Sequence, residues 1–190
     1  MRVKDEGTSD LREQSNRRRS EFWKSKLRSS LDYIFGEGTT RNIQYDELAF
    51  QFSNRTGRLK QIVNKENGEV FFSFRPNGSI APTIQGMKLM WKWGRLRKNM
   101  GVKSRPRWIV TVVDGVTDVV SQGKTVFCRH IFYCDDSLRA NEDVAIMNQR
   151  GELLAVGRTI LAGSEMKQFK RGVAVKVRQG VNRIGSRNES

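Results

Sequence analysis

Trp108-Ile109-Val110-Thr111-Val112-Val113 opens the stretch that decides the fold, and Val173-Ala174-Val175-Lys176-Val177 closes it. Between them lie the apolar runs 125–133, Val144-Ala145-Ile146-Met147 and 153–160. Each is short, β-branched and bounded by turn residues, at Asp114-Gly115, Gly123, 148–151 and Gly172. Only two brief helical patterns intervene, at 116–122 and 164–169. Five short strands in roughly 75 residues predict a small closed or nearly closed β-barrel over 107–181.

Upstream, residues 99–106 hold Gly101, Ser104 and Pro106 and read as a connector between domains. Before it, 20–100 reads as a small α+β unit. Leu48-Ala49-Phe50-Gln51-Phe52, Leu59-Lys60-Gln61-Ile62-Val63 and Val70-Phe71-Phe72-Ser73-Phe74 predict a three-stranded antiparallel sheet. Asn67-Gly68 is a hairpin signal in left-handed conformations, and Pro76-Asn77-Gly78 ends the third strand. Thr83 is placed to cap a helix carrying Ile84, Met87, Met90, Trp91 and Leu96, with Lys88, Lys92 and Arg95 on its other side. A first helix starts from Ser20, since Phe22, Trp23, Leu27, Leu31, Ile34 and Phe35 recur at helical spacing and Gly36 and Gly38 end the run. Residues 1–19 lack that periodicity and read as a flexible basic arm ending in Arg17-Arg18-Arg19; 182–190 read as a polar tail.

The chain has 35 Lys+Arg against 20 Asp+Glu, a formal net charge of +15 over 190 residues. No run approaches the roughly 18 apolar residues of a membrane span, and the first twenty residues are charged, unlike a secretory leader. Two cysteines fit a reducing compartment, so a soluble cytoplasmic protein is expected. The charge is uneven. No acid lies between Glu69 and Asp114, where Arg75, Lys88, Lys92, Arg95, Arg97, Lys98, Lys103, Arg105 and Arg107 gather near Trp91, Trp93 and Trp108. Such a block suits phosphate neutralisation with apolar footing, or else forms the solvated side of a helix.

Chemistry-bearing patterns are few. Cys128, His130 and Cys134 share even spacing, so on one extended strand all three would face one side. A fourth ligand is missing from the pattern, and two buried thiols with a surface histidine is the favoured reading. Gly123-Lys124-Thr125 matches only the tail of a phosphate loop. No cofactor, metal or catalytic residue is therefore expected.

In residue order, Ile109–Val113, Gly123-Lys124-Thr125-Val126-Phe127, Asn141-Glu142-Asp143-Val144, Glu152–Arg158, Ser164-Glu165-Met166 and Arg171-Gly172-Val173-Ala174-Val175 resemble a PUA domain. With Tyr33-Ile34-Phe35-Gly36, Ser53-Asn54-Arg55-Thr56-Gly57-Arg58 and Thr83-Ile84-Gln85-Gly86, about 145 residues are similar to the C-terminal region of archaeal tRNA-guanine transglycosylase. The resemblance implies an archaeal protein, a PUA barrel after the α+β unit, and recognition of a tRNA acceptor arm. It implicates 116–124, chiefly Gly123 and Lys124, and Arg171, Gly172, Lys176 and Arg178 in RNA contact. Charge adds Lys88, Lys92, Arg95, Arg97, Lys98, Arg105 and Arg107. Gly157 is read as a packing glycine. The pattern departs from the enzyme family where a (β/α)8 barrel would need roughly 200 or more residues, and its catalytic aspartates and zinc cysteines find no counterparts. The expectation is a non-catalytic RNA-binding protein, a stand-alone subunit or partner of a transglycosylase catalytic subunit in archaeosine-type tRNA modification. The alternative is a ribosome-associated protein or assembly factor on rRNA.

Overall fold

The computed structural model describes residues 6–37, 39, 40, 43–94 and 106–182, without the side chains of 6–17 and 92–94. Helix α1 spans Glu6–Phe35, so it starts well before Ser20 and most of the expected arm is helical. The reason is propagation. Leu27, Leu31 and Phe35, all at most 3% exposed, fix the C-terminal half against the core. Each further residue then adds one hydrogen bond, and the segment before Ser20 holds Glu6, Leu11, Arg12, Glu13, Gln14 and Arg17-Arg18-Arg19, good helix formers that need no apolar stripe. At the other end Gly36 takes φ +104° and donates its N–H to the Asp32 carbonyl. The Asp32 carboxylate accepts from both the N–H and the hydroxyl of buried Thr40, which turns the chain back under the helix.

Strands β1 (Leu48–Phe52), β2 (Leu59–Asn64), β3 (Val70–Phe74) and β4 (Ile80–Pro82) form one antiparallel sheet in sequential order. The fourth strand is additional to the three read from the pattern; three residues ending in proline carry almost no period, and proline is tolerated there because β4 is an edge. At the β2–β3 turn only Gly68 is left-handed, at φ +71°. Asn67 instead accepts the Glu69 N–H, and Asn64 accepts those of Glu66 and Asn67. Helix α2 (Ile84–Gly94) is capped by Thr83, whose Oγ1 accepts the Gly86 N–H at 3.2 Å.

Beyond the connector, β5 (Ile109–Val112), β6 (Val126–Phe127), β7 (Ile131–Tyr133), β8 (Asp143–Met147), β9 (Leu153–Thr159) and β10 (Val173–Gly180) form a six-stranded, nearly closed barrel ordered β6-β10-β9-β8-β5-β7. The β5–β8 pair is parallel and the others antiparallel. Short helices α3 (Thr117–Ser121) and α4 (Gly163–Gln168) cover its ends. The run 125–133, read as one strand, is broken by a tight turn at Cys128–His130 that carries the chain from β6 across to β7. A barrel of this size must turn a corner there, and the apolar composition of the run does not reveal it.

Alternation along the strands explains why β5 and β8 are buried at every position. Val110, Val112, Val144, Ile146 and Ala155 point into the barrel, packing with Val175 and Met166. Ile109, Ala145, Met147 and Val156 point outward, into one core with Leu31, Phe72, Met87 and Met90 of the preceding unit. Each such large side chain taken fully out of water contributes about 1.5–3 kcal/mol. Phe35 meets Trp108 edge-on at 5.9 Å between centroids. Polar contacts reinforce this seam: the Ile84 N–H donates to Gln179 Oε1, and Arg75 forks onto Asp143 at 2.8 and 2.9 Å. Among the described residues no helix is long and apolar enough to cross a membrane.

Candidate nucleic-acid interface

Strand β10 organises the basic surface. Its register against β9 pairs Val177 with Gly157 and Gln179 with Val156, leaving Arg178 as the extra residue of a bulge. The bulge aims Arg178 at the seam, where its guanidinium donates to the Pro82 carbonyl at 2.6 Å and lies 3.1 Å from the Asp143 carboxylate. Burial holds the Arg178 guanidinium below its ordinary value, Asp143 opposes that shift, and nearby Arg75 and Arg158 add to it. Asp143, only 8% exposed, is thus ringed by three arginines. Next along β10, exposed Lys176 stands directly across from Arg158 on β9. Arg158 in turn faces Asp143 on β8 and donates its Nε to the Asn141 carbonyl at 2.8 Å, so Lys176 is the cation of this pair left to solvent.

Of the residues that the resemblance implicates, Arg171 and Gly172 precede β10, Lys176 and Arg178 lie on it, and Gly123 and Lys124 lie toward its far end. Arg171 and Gly172 precede the strand; both are exposed, and Gly172 has φ +110° with open space where a Cβ would sit. Gly123 and Lys124 lie beside its far end, where Gly180 approaches so closely that a Cβ would fall 2.6 Å from the Gly123 nitrogen. Gly123, at φ +91°, donates its N–H to the Val120 carbonyl. It is a helix terminator for α3, and its N–H is already engaged within the protein. Lys124 is exposed. Gly157 packs against β10, where a Cβ would sit 2.7 Å from the Lys176 carbonyl oxygen.

Lys88 on α2 is exposed and lines a groove of about 820 Å3 along the seam, with Gln61, Arg75, Gln85 and Arg178. Lys88 and Arg178 are therefore brought onto one groove from different units. Arg107 is engaged with Glu142 at 2.5 Å and with the Ser137 carbonyl. The Lys92 side chain, Arg95, Arg97, Lys98 and Arg105 lie outside the described residues.

Residues 108–181 match the family model of the PUA domain. The barrel is a PUA domain. Residues 25–94 match the patch-forming domain C2 of tRNA-guanine transglycosylase. The tRNA-guanine(15) transglycosylase of Methanocaldococcus jannaschii is 35% identical over 82% of this chain and 22% of its own length; that of Thermococcus onnurineus is 35% identical over 80% and 24%. The chain thus spans about a quarter of these relatives, the portion holding the C2 and PUA domains. Two solved structures share the fold. A hypothetical protein from Pyrococcus horikoshii has a TM-score of 0.61 at 22% identity, covering 83% of this chain and 89% of that one. A conserved PUA domain protein from Thermoplasma acidophilum has a TM-score of 0.57 at 18%, covering 86% and 91%.

Inside the PUA domain the cysteine–histidine cluster of the sequence is split. Cys128 and Cys134 are buried in the barrel core, and His130 sits on the turn, accepting from Arg129 Nε at 2.9 Å. Burial raises both thiols, Cys134 to about 11, so both are protonated at neutral pH. Iodoacetamide should leave both unmodified in the native protein at pH 7.5 and alkylate both in urea, as read by intact mass; rapid native labelling would contradict this. Arg75, one of the cations of the acid-free run, and Arg158 are brought beside β10 by domain docking and strand register, which spacing along the chain does not show.

Proposed function

We propose that this chain binds structured RNA, most specifically the acceptor arm of tRNA, and presents it to a tRNA-guanine transglycosylase catalytic unit without itself carrying the chemistry. Exposed Lys176 on β10, side by side with Arg158 on β9, carries this reading, since it places positive charge on a rigid strand of the PUA barrel. Arg171 before the strand, Lys124 beyond it and Lys88 in the seam groove extend the charge into a track for a phosphate backbone. The PUA and C2 matches support RNA, and specifically tRNA modification, as its setting.

Gel shifts over a salt series test it. Binding should weaken at least about tenfold when the tRNA lacks its acceptor end; equal affinity removes the acceptor-arm assignment. Lys124→Glu with Lys176→Glu should weaken binding and lower the slope of log affinity against log salt by about 1.5–2, as expected for two lost phosphate contacts. Persistent co-sedimentation with a ribosomal subunit at moderate salt, rather than co-purification with a transglycosylase catalytic unit, would transfer the reading to rRNA.

A further inference from the structure

A second basic cleft lies away from the PUA barrel, between α1 and the β1–β2 and β3–β4 turns of the C2-like unit, with a volume of about 870 Å3. Its floor is apolar, from Leu27, Phe74 and Ile80. Its rim carries Lys26, Arg55, Arg58 and Lys60, and no acidic side chain lines it. Among the described residues none of these four cations has a carboxylate within ion-pair distance, whereas Arg75, at the cleft's edge, is held by Asp143. Aromatic rings flank the same opening. Tyr33 is 91% exposed, and the Trp23 ring lies 5.1 Å from the Lys26 ammonium.

These features arise from the helix and the turns together. Trp23, Lys26, Leu27, Ser30, Tyr33 and Ile34 recur every three or four residues, so one side of α1 walls the cleft. Ser53 and Gly57 close the β1–β2 turn, whose Gly57 takes φ +64°, and this sets Arg55 and Arg58 at the mouth. Tyr33 stays in water at a rim where Lys26, Arg55, Arg58 and Lys60 gather without a carboxylate partner among the described residues. Burying it would stabilise the protein, and the cations repel one another.

We propose that this cleft holds a short single-stranded segment of the bound RNA, one base stacking on Tyr33 and its phosphates meeting Arg55, Arg58 and Lys60. An apolar floor with a cationic rim matches that occupant: bases stack on rings without regard to sequence, and the adjoining phosphates need charge. The volume falls within the range of sites for small ligands, room for a nucleotide or two but not for a duplex. The inference rests on the RNA-binding reading above and adds to the duplex track on the PUA barrel.

Fluorescence anisotropy with two labelled RNAs tests it, a blunt stem-loop and the same stem-loop with a four-nucleotide single-stranded extension. The intact chain should bind the extended RNA about fivefold or more tightly. Tyr33→Ala, and separately Arg55→Glu with Arg58→Glu, should abolish that difference and leave blunt-RNA affinity and the unfolding temperature unchanged, since all three side chains are exposed; Tyr33→Phe should retain it. If wild type binds both RNAs equally, or Tyr33→Ala weakens both alike, the cleft assignment is overturned while the RNA reading stands. If neither RNA binds, the RNA reading falls, and this inference with it. Displacement of the extension by an acidic peptide but not by a short oligonucleotide would assign the cleft to a protein and overturn the proposal.

Discussion

Replacing Gly86 with alanine should destabilise this protein by about 2–4 kcal/mol, although alanine is the better helix former. Propensity alone favours the substitution by about 1 kcal/mol, chiefly because alanine leaves a stiffer unfolded chain. Packing decides the sign. A Cβ at position 86 would lie 2.1 Å from the Phe71 carbonyl oxygen and 3.0 Å from its carbon. That carbonyl cannot retreat, because it accepts the Thr83 N–H at 3.0 Å and belongs to β3 in the sheet interior. Helix α2 would have to lift off the sheet, opening the core around Met87 and Phe72, both fully buried. Thermal unfolding should show a midpoint lower by about 5–15 °C. Gly115→Ala is the control: nothing lies within 4 Å of its Cβ, and its stability should change by no more than about 0.5 kcal/mol. A Gly86→Ala protein as stable as wild type would mean that α2 does not sit this close to β3.

Asp143→Ala should cost about 2–4 kcal/mol by a different route. Asp143 is nearly buried, and its two carboxylate oxygens receive Arg75 from the C2-like unit and Arg178 from the barrel. Removing it leaves two guanidiniums facing each other at the seam, with Arg158 nearby. The cost stays at the low end of what a broken buried pair exacts because the Arg75 and Arg178 side chains keep 23% and 35% of their exposure. Adding Arg178→Met should recover part of the loss, since it removes the stranded charge; urea denaturation of the single and double variants measures both. No recovery would show that the ion pair is incidental to the seam.

Much of the barrel was legible because strands alternate with period two and this chain marks its turns with glycine and aspartate. The Thr83 cap and the packing role of Gly157 were legible for the same local reason: each depends on residues within one turn or one strand crossing. The start of α1 was not, because hydrogen bonds propagate beyond the packed segment and leave no apolar signature. Nor was β4, whose three residues gain their conformation from pairing with β3. Among the proposed contact residues, Lys124, Arg171 and Lys176 are implied by the PUA resemblance, and all three are exposed in the fold. Arg178 could not be distinguished from them, though a bulge turns it inward to an acid far away in sequence.

By itself the sequence determined the α+β class, the barrel and the basic character, which are written in local periodicity, turn chemistry and charge, and its ordered motifs carried the resemblance to the C-terminal region of archaeal tRNA-guanine transglycosylase. Only the tertiary structure decided which cations are available to a ligand. Asp143 and Arg178 converge from two strands with Arg75 from the turn after β3, Lys176 meets Arg158 through register, and Tyr33 stands over a cleft made by a helix and two distant turns. Pairing falls steeply with distance, and distance across a seam is set by how the two units pack, which no spacing along the chain encodes.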